Sequence, residues 1–167
     1  MKTTCVDIHA TCIRLGRAGQ TFGAPPDTGV LLLGASGAGK SDIALRLIAA
    51  GATLVADDRV ELFVLQHMLW ARAPRRGAGL IEVRGVGIVK LPRAARARVG
   101  LVVELEQGVR RLPKHRRYRV PATLGLTKSA APPVIKVAPF EASAAAKIAV
   151  AAAAYACNLH RDHINPI

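Results

Sequence analysis

Short hydrophobic runs alternate with glycine-rich breaks along most of the chain, a pattern that predicts many strands and few helices. The predicted strands, in chain order, are 6–15, 30–33, 53–56, 60–65, 68–71, 80–83 and 101–105. Helices are predicted at 41–50, which Gly51 closes, and at the alanine-rich segment 142–157. Because strands and helices do not alternate regularly, the pattern predicts an α/β fold with a mixed β-sheet and few helices, in one domain spanning residues 1–167.

Two longer segments lack clear periodicity and are predicted to be loops. Residues 16–29 combine several glycines with Pro25 and Pro26. Residues 107–139 are basic and proline-rich, and they are a candidate for a mobile substrate loop.

The break between the strand 30–33 and the helix 41–50 has the sequence Gly34-Ala35-Ser36-Gly37-Ala38-Gly39-Lys40-Ser41, which matches G-x-x-x-x-G-K-[ST]. Glycines allow the backbone N–H groups to surround a phosphate, and the helix N-terminus adds partial positive charge. Lys40 would reach the β- and γ-phosphates, and the Ser41 hydroxyl would bind Mg²⁺. A glycine-rich turn before an ordinary helix is the alternative, but the flanking strand and helix favour nucleoside triphosphate binding.

Asp57 and Asp58 follow the predicted strand 53–56. Adjacent residues of an extended chain point to opposite sides, so one carboxylate can face the phosphate while the other supports it or holds a metal through water. Phosphoryl transfer uses a carboxylate to accept the substrate's proton and acidic oxygens to bind Mg²⁺. Aspartate is also common in turns at strand ends, yet beside a phosphate-binding loop we favour a functional role.

A third cluster is Glu82-Val83-Arg84-Gly85-Val86-Gly87, in which Glu82 and Arg84 share one face of an extended chain. A metal-directed carboxylate and a phosphate-directed arginine would complete a kinase site. An exposed ion pair on an edge strand is the alternative. His9 precedes these motifs in the first predicted strand, and a lone histidine there is more often structural.

The composition indicates what kind of partner the chain would bind. The net charge of +13 favours an acidic one, and the excess is concentrated in 93–98 and 110–119. Aromatic residues make up only 4% of the chain, which argues against single-stranded nucleic acid because such binding stacks bases on aromatic rings. A solvated basic surface without a specific partner is equally compatible with these numbers.

The sequence also predicts a cytoplasmic protein without a membrane span. No uncharged apolar run reaches the length of a membrane-spanning helix, and the N-terminus lacks a signal-peptide core. Cys5, Cys12 and Cys157 are odd in number and lack metal-type spacing, as expected of reduced thiols.

Together, His9, the loop 34–41, Leu54-Val55-Ala56-Asp57-Asp58 and Glu82-Val83-Arg84-Gly85-Val86-Gly87-Ile88 resemble the catalytic domain of HPr kinase/phosphorylase. The resemblance covers roughly residues 6 to 90, and the alanine-rich helix is similar to the family's closing helix. It implies a P-loop kinase fold like that of phosphoenolpyruvate carboxykinase, in a short form that lacks the family's N-terminal domain. It also implies ATP- and Mg²⁺-dependent phosphorylation of a serine on HPr, the phosphocarrier protein of the sugar phosphotransferase system, by a hexamer.

The resemblance also implies roles for single residues. Lys40 would bind phosphate, while Ser41 and Glu82 would lie on the metal side. Asp58, or its neighbour Asp57, would be the base that deprotonates the target serine, and the acid of the reverse reaction. The residues matched in the same way to the family's site are His9, Arg84 and Arg111.

The chain departs from the family at 137–143, where Val-Ala-Pro-Phe-Glu-Ala-Ser replaces a Pro-x-Arg-Pro-Gly-Arg-Asn loop linked to dephosphorylation. Kinase activity is therefore better supported than phosphorylase activity. Two other functions fit the residues. One is a P-loop kinase or nucleotidase acting on a small anionic metabolite held by 110–119. The other is a nucleotide-gated binding module without phosphoryl transfer, which would touch nucleic acid through its basic surface.

Overall fold

A curled nine-stranded mixed sheet with helices on one face forms most of the computed structural model, which describes residues 4–111 and 114–157. The strands are β1 (Cys5–His9), β2 (Thr11–Arg14), β3 (Thr28–Leu33), β4 (Thr53–Ala56), β5 (Arg59–Leu65), β6 (Met68–Arg72), β7 (Leu80–Val83), β8 (Gly87–Lys90), β9 (Arg96–Leu105), β10 (Arg116–Arg117) and β11 (Pro133–Val137). The helices are α1 (Arg17–Gln20), α2 (Lys40–Ala49) and α3 (Ala144–Ala156). Two short 3₁₀ turns lie at Ala122–Leu124 and Lys128–Ala130.

The ten-residue strand β9 organises the large sheet. It pairs parallel with β3 along most of its length, antiparallel with β6 at its start and parallel with β11 at its end. The path through the sheet is β1-β5-β6-β9-β3-β2-β4, with β11 and then β10 branching from β9. The strands β7 and β8 form a separate antiparallel hairpin.

Alternation along the central strands builds a hydrophobic core on each face of the sheet. On β3, Val30 and Leu32 face the cluster that α2 and α3 cover, while Leu31 faces the other. Helix α3 contributes small buried alanines and Ile148 to the first cluster, so it approaches the sheet closely. These two cores hold the strand ends, and the loops that follow them, in fixed positions.

The predicted strand 6–15 is two strands, because the chain bends at Ala10, whose N–H donates to the Asp58 carbonyl at 3.2 Å. The bend sends β1 to pair with β5, and β2 to pair with β3 and β4. The predicted loop 16–29 contains the short helix α1, and β3 begins within it at Thr28.

The prediction of a long mobile loop at 107–139 is wrong for its second half. Within the described part of this segment, β11 joins the central sheet beside β9, and Val134 and Val137 are buried. The sequence signal was weak because β11 is only five residues long and is flanked by prolines. In the described ranges, no helix has both the length and the apolar character needed to cross a membrane.

Candidate active site

Several strand ends meet at one edge of the large sheet. The strands β3 and β4 both pair antiparallel with β2, so they run in the same direction and their carboxyl ends share an edge. The chain leaves β3 into the loop 34–39 and leaves β4 into Asp57 and Asp58, while Thr11 starts β2 between them. His9 ends β1 at the same edge, because β1 pairs with β5, which starts directly after Asp58.

The loop between β3 and α2 needs glycine at two positions. Gly37 and Gly39 adopt left-handed φ angles of 79° and 91°, which L side chains rarely adopt. A Cβ atom at Gly39 would also lie 3.2 Å from Pro139 Cβ and 3.3 Å from Phe140 Cε1. The loop therefore presents backbone, not side chains, at the N-terminus of α2, as a phosphate-binding loop must.

Lys40 is buried at this N-terminus, with 7% of its surface exposed. Its Nζ donates to the carbonyls of Gly34 and Ala35 at 2.8 and 2.9 Å, and it lies 3.1 Å from Nε2 of His9. An ammonium group can only donate. Nε2 of His9 therefore accepts, and Nδ1 carries the ring proton.

Burial and neighbouring charges shift the pKa of Lys40 in opposite directions. Burial lowers the pKa of Lys40, while the negative charges of Asp57 and Asp58 raise it. The Lys40 ammonium group is shielded from water and lies near two carboxylates. A phosphate oxygen is a stronger acceptor than a neutral carbonyl, so an anion entering the pocket would replace the carbonyls as its hydrogen-bond partners.

Asp58 is the exposed member of the aspartate pair. Its side chain is 75% exposed, and its Oδ1 lies 3.1 Å from Nδ1 of His9, which also lies 3.0 Å from the Asp58 carbonyl oxygen. The Asp58 backbone is left-handed, with φ of 65°. Because of this turn, the Asp58 side chain does not continue the alternation of β4. Its contact with His9 keeps the side chain in this position.

Asp57 has a different set of partners. The hydroxyl of Thr11 donates to its Oδ1 at 2.6 Å, and the Ser41 hydroxyl lies 3.2 and 3.3 Å from its two oxygens. The backbone N–H of Glu82 donates to its Oδ2 at 3.2 Å. Asp57 therefore joins β2, the start of α2 and the β7–β8 hairpin around one carboxylate.

The β7–β8 hairpin forms one wall of the site. Ile81 is 1% exposed and anchors the hairpin in the core below α2. Glu82 and Arg84 are exposed beside it, with Arg84 in the turn that follows β7. The hairpin thus carries a carboxylate and a guanidinium to the rim of the same depression.

These groups line a pocket of about 370 Å³. Its lining consists of His9, Ser36, Gly37, Gly39, Lys40, Ser41, Asp42, Leu45, Asp57, Asp58, Glu82, Val83, Arg84 and Phe140. The other predicted loop residues, Gly34, Ala35 and Ala38, do not line the pocket, and the Ala38 N–H donates to the Ala35 carbonyl at 3.1 Å. All three motifs predicted to carry chemistry therefore meet in one place.

Comparison with known proteins identifies the family. A family model described as the HPr Serine kinase C-terminal domain matches residues 26–131. The chain belongs to this family. The predicted resemblance is confirmed, and the match extends beyond residue 90 into the segment where sequence motifs were weak.

Two curated relatives and one solved structure illustrate the relationship. HPr kinase/phosphorylase of Clostridium acetobutylicum is 45% identical over 64 residues, which is 38% of this chain and 21% of that protein. The protein of the same name from Lactobacillus acidophilus is 50% identical over 62 residues, 36% of this chain and 19% of that protein. The matches thus span about a fifth of the length of these curated relatives.

The solved structure extends the similarity across the fold. The Hpr(Ser) kinase/phosphatase from Coxiella burnetii superposes with a TM-score of 0.70 over 92% of this chain and 98% of that chain, at 20% identity. The shared fold confirms the predicted P-loop-type α/β fold with a mixed sheet and few helices.

Of the residues predicted to be catalytic, one is not brought to the pocket by the fold. Arg111 is exposed in the segment that follows β9 and does not line the pocket. The strand β9 ends at Leu105, and the chain then leaves the sheet. The predicted catalytic role of Arg111 therefore gains no support from its position.

The candidate ligands for a divalent cation in the pocket lining are the Ser41 hydroxyl and the carboxylates of Asp57 and Glu82. Among residues 4–111 and 114–157, no cluster of three or more His, Cys, Asp or Glu side chains could hold a metal alone. Mg²⁺ is usually held by one or two carboxylates together with waters and substrate phosphates. The pairing of Ser41 with Asp57 beside a phosphate-type loop fits that pattern.

Sequence reasoning missed several contributors to the site, among them Thr11, Leu45 and Phe140. Thr11 is fully buried and holds Asp57, and its signal was a hydroxyl residue directly before the apolar pair Cys12 and Ile13. Leu45 could not be recognised as a pocket residue, because an apolar residue at its position on α2 is equally expected in the core. Phe140 is distant in sequence from every motif, so only the packed structure could bring it to the pocket.

Proposed function

We propose that this chain transfers the γ-phosphate of ATP to a serine hydroxyl on an HPr-like phosphocarrier protein, in a reaction that needs Mg²⁺. The observation that carries the proposal is the convergence of Lys40, Ser41, Asp57, Asp58 and His9 on one pocket behind a glycine-rich loop. Membership of the HPr serine kinase C-terminal domain family supports the choice of acceptor.

Binding of the triphosphate falls to the loop and Lys40. The backbone N–H groups of 36–39 and the N-terminus of α2 would surround the β- and γ-phosphates. Lys40 would exchange the carbonyls of Gly34 and Ala35 for phosphate oxygens, which are stronger acceptors because they are charged.

Metal binding falls to Ser41 and Asp57, with Glu82 as a further carboxylate. Mg²⁺ there would neutralise the charge that develops on the phosphates during transfer. Thr11 and the Glu82 N–H hold the Asp57 carboxylate for this role.

We assign proton transfer to Asp58, because its side chain is exposed in the pocket lining and is not hydrogen-bonded to Ser41. Asp58 would take the proton from the serine hydroxyl as its oxygen bonds to the γ-phosphorus and the bond to ADP breaks. His9 would orient Asp58 through Nδ1. Arg84, on the hairpin rim, would stabilise the transferred phosphoryl group.

The test is a transfer assay with ATP labelled at the γ-phosphate, Mg²⁺, and purified HPr. We expect label on wild-type HPr and none on HPr whose target serine is changed to alanine. Lys40→Ala should abolish transfer, while Lys128→Ala, an exposed lysine outside the pocket, should leave it unchanged. A thermal melt of each variant checks that it remains folded.

Other outcomes would assign other functions. Label appearing in a small molecule instead of HPr would favour a metabolite kinase. Serine-phosphorylated HPr incubated with inorganic phosphate tests the phosphorylase direction. That direction has less support, because residues 137–143 lack the basic loop of the family.

Assembly and location complete the proposal. We infer a homo-oligomer, a hexamer by family resemblance, which light scattering of the purified chain would measure. A cytoplasmic location is consistent with Cys5, Cys12 and Cys157, which are all free thiols.

A further inference from the structure

Phe140 is exposed at the mouth of the pocket, with 67% of its surface accessible. Phe140 is the most exposed of the three phenylalanines, ahead of Phe22 at 43%, and of Phe22 and Phe140 only Phe140 lies at the rim of the site. Its ring lies against the glycine-rich loop, close enough that a Cβ atom at Gly39 would come within 3.3 Å of Cε1 and 3.4 Å of Cζ.

The backbone on both sides of Phe140 is fastened to α2. Arg46 donates to the Pro139 carbonyl and, at 3.0 Å, to the Glu141 carbonyl. Arg46 is itself paired with Asp42 one helical turn earlier, at 2.5 and 3.0 Å. This clamp holds the backbone that carries the ring in place beside the glycine-rich loop, while the ring itself stays solvent-exposed.

The pocket combines a charged region with apolar side chains. Its charged and polar side chains are those of His9, Ser36, Lys40, Ser41, Asp42, Asp57, Asp58, Glu82 and Arg84. The apolar side chains in the lining are Leu45, Val83 and Phe140. A nucleoside triphosphate likewise combines charged phosphates with a flat, largely apolar base.

We propose that Phe140 is a platform on which the base of the bound nucleotide stacks, so that it sets affinity for the base and not for the phosphates. The inference rests on the proposed nucleotide-binding function and extends it to the base. An aromatic ring held in place loses little conformational entropy when a base stacks on it. The exposed position of the ring is then explained by its ligand.

The test measures dissociation constants by calorimetry for Mg-ATP and for Mg-tripolyphosphate, which has the phosphates but no base. Phe140→Ala should weaken ATP binding at least about fivefold, the lower end of the range for one stacked base. It should leave tripolyphosphate binding within about twofold, because stacking acts only on the base. Phe22→Ala is the matched control, since Phe22 is also exposed and does not line the pocket.

Phe140→Trp provides a rescue and a signal. It should restore ATP affinity, and its fluorescence should be quenched by ATP and not by tripolyphosphate, after subtraction of the signal from Trp70. A purely structural role for Phe140 would instead weaken both ligands equally in the alanine variant.

Two results would overturn the platform. One is an unchanged ratio of the two constants in Phe140→Ala, whether both affinities fall equally or neither changes, and the other is a raised KM for HPr with unchanged ATP affinity. The last would assign Phe140 to protein docking. Failure of wild-type protein to bind either ligand would instead remove the nucleotide-binding function itself, so the two failures are distinguishable.

Discussion

At the scale of single residues, Asp57 and Asp58 have different surroundings although they are neighbours in the chain. Asp57 accepts from Thr11, Ser41 and the Glu82 N–H, while Asp58 meets His9 and solvent. The left-handed backbone at Asp58 produces the difference, because it turns the chain before β5 begins. The sequence predicted that the two carboxylates would point to different sides but not which of them would be exposed.

We predict that Asp58→Asn lowers the turnover of HPr phosphorylation by roughly 10²-fold or more, as expected when a general base is lost. ATP affinity should stay within about twofold, because the phosphates are bound by the loop and Lys40. Single-turnover kinetics together with calorimetry would separate these two effects.

Asp57→Asn is the matched comparison, since it removes the same charge one residue away. It should raise the Mg²⁺ concentration needed for half-maximal activity, whereas Asp58→Asn should not. Near-normal turnover in Asp58→Asn would show that the base has been assigned to the wrong residue.

At the scale of elements, the segment 138–143 shows how a loop without periodicity can still be held in place. It follows β11, which pairs with β9, and Arg46 on α2 donates to two of its carbonyls. An ion pair between Lys147 and Glu141 connects it to α3. The segment therefore lies across the start of α2 instead of extending into solvent.

Arg46→Ala should lower the free energy of unfolding by about 1–3 kcal/mol, because it removes charge-assisted hydrogen bonds from a partly buried guanidinium. It should also increase hydrogen exchange in 138–143 more than elsewhere, since that segment loses its attachment. Chemical denaturation and exchange mass spectrometry would measure the two effects.

Arg116→Ala is the control, because it removes only an exposed ion pair with Glu104. Such pairs contribute about 0–1 kcal/mol. If both variants lost the same stability and exchange rose equally in each, the clamp would have no special role in holding this segment.

At the scale of the whole molecule, the two hydrophobic cores share one strand. On β9, Leu101 and Val103 face the helices, while Val102 faces the other cluster, and all three are fully buried. Because β9 also pairs with β3, β6 and β11, neither core can lose its packing without disturbing the other. Unfolding should therefore be a single cooperative transition.

Leu101→Ala should lower the free energy of unfolding by about 2–5 kcal/mol, the usual range for a leucine removed from a packed core. Leu65→Ala, at a partly exposed position on β5, should cost less than that. Circular dichroism and Trp70 fluorescence should report the same midpoint for each variant. Two separate transitions would mean that the cores unfold independently.

Local chemistry could be predicted from the sequence because it depends on residues close together in the chain. The loop 34–41, the strand before it and the helix after it form one continuous segment. The conformational freedom of its glycines and the positive charge of its lysine do not depend on distant parts of the chain. The strands 53–56 and 80–83 were also predicted with their observed bounds, because turns border both. The family resemblance joined these segments into a kinase site.

Only the tertiary structure decided which distant residues share the site. Lys40 and His9 meet across 31 residues, Ser41 and Asp57 across 16, and Arg46 and Glu141 across 95. These contacts depend on strand order and direction, which local propensity does not encode. The sequence by itself therefore determined a candidate phosphate-binding loop and the carboxylates that accompany it. Packing of β2, β4 and β11 around β3 and β9 decided their arrangement, because it brings the strand ends to one edge and returns Phe140 to the pocket.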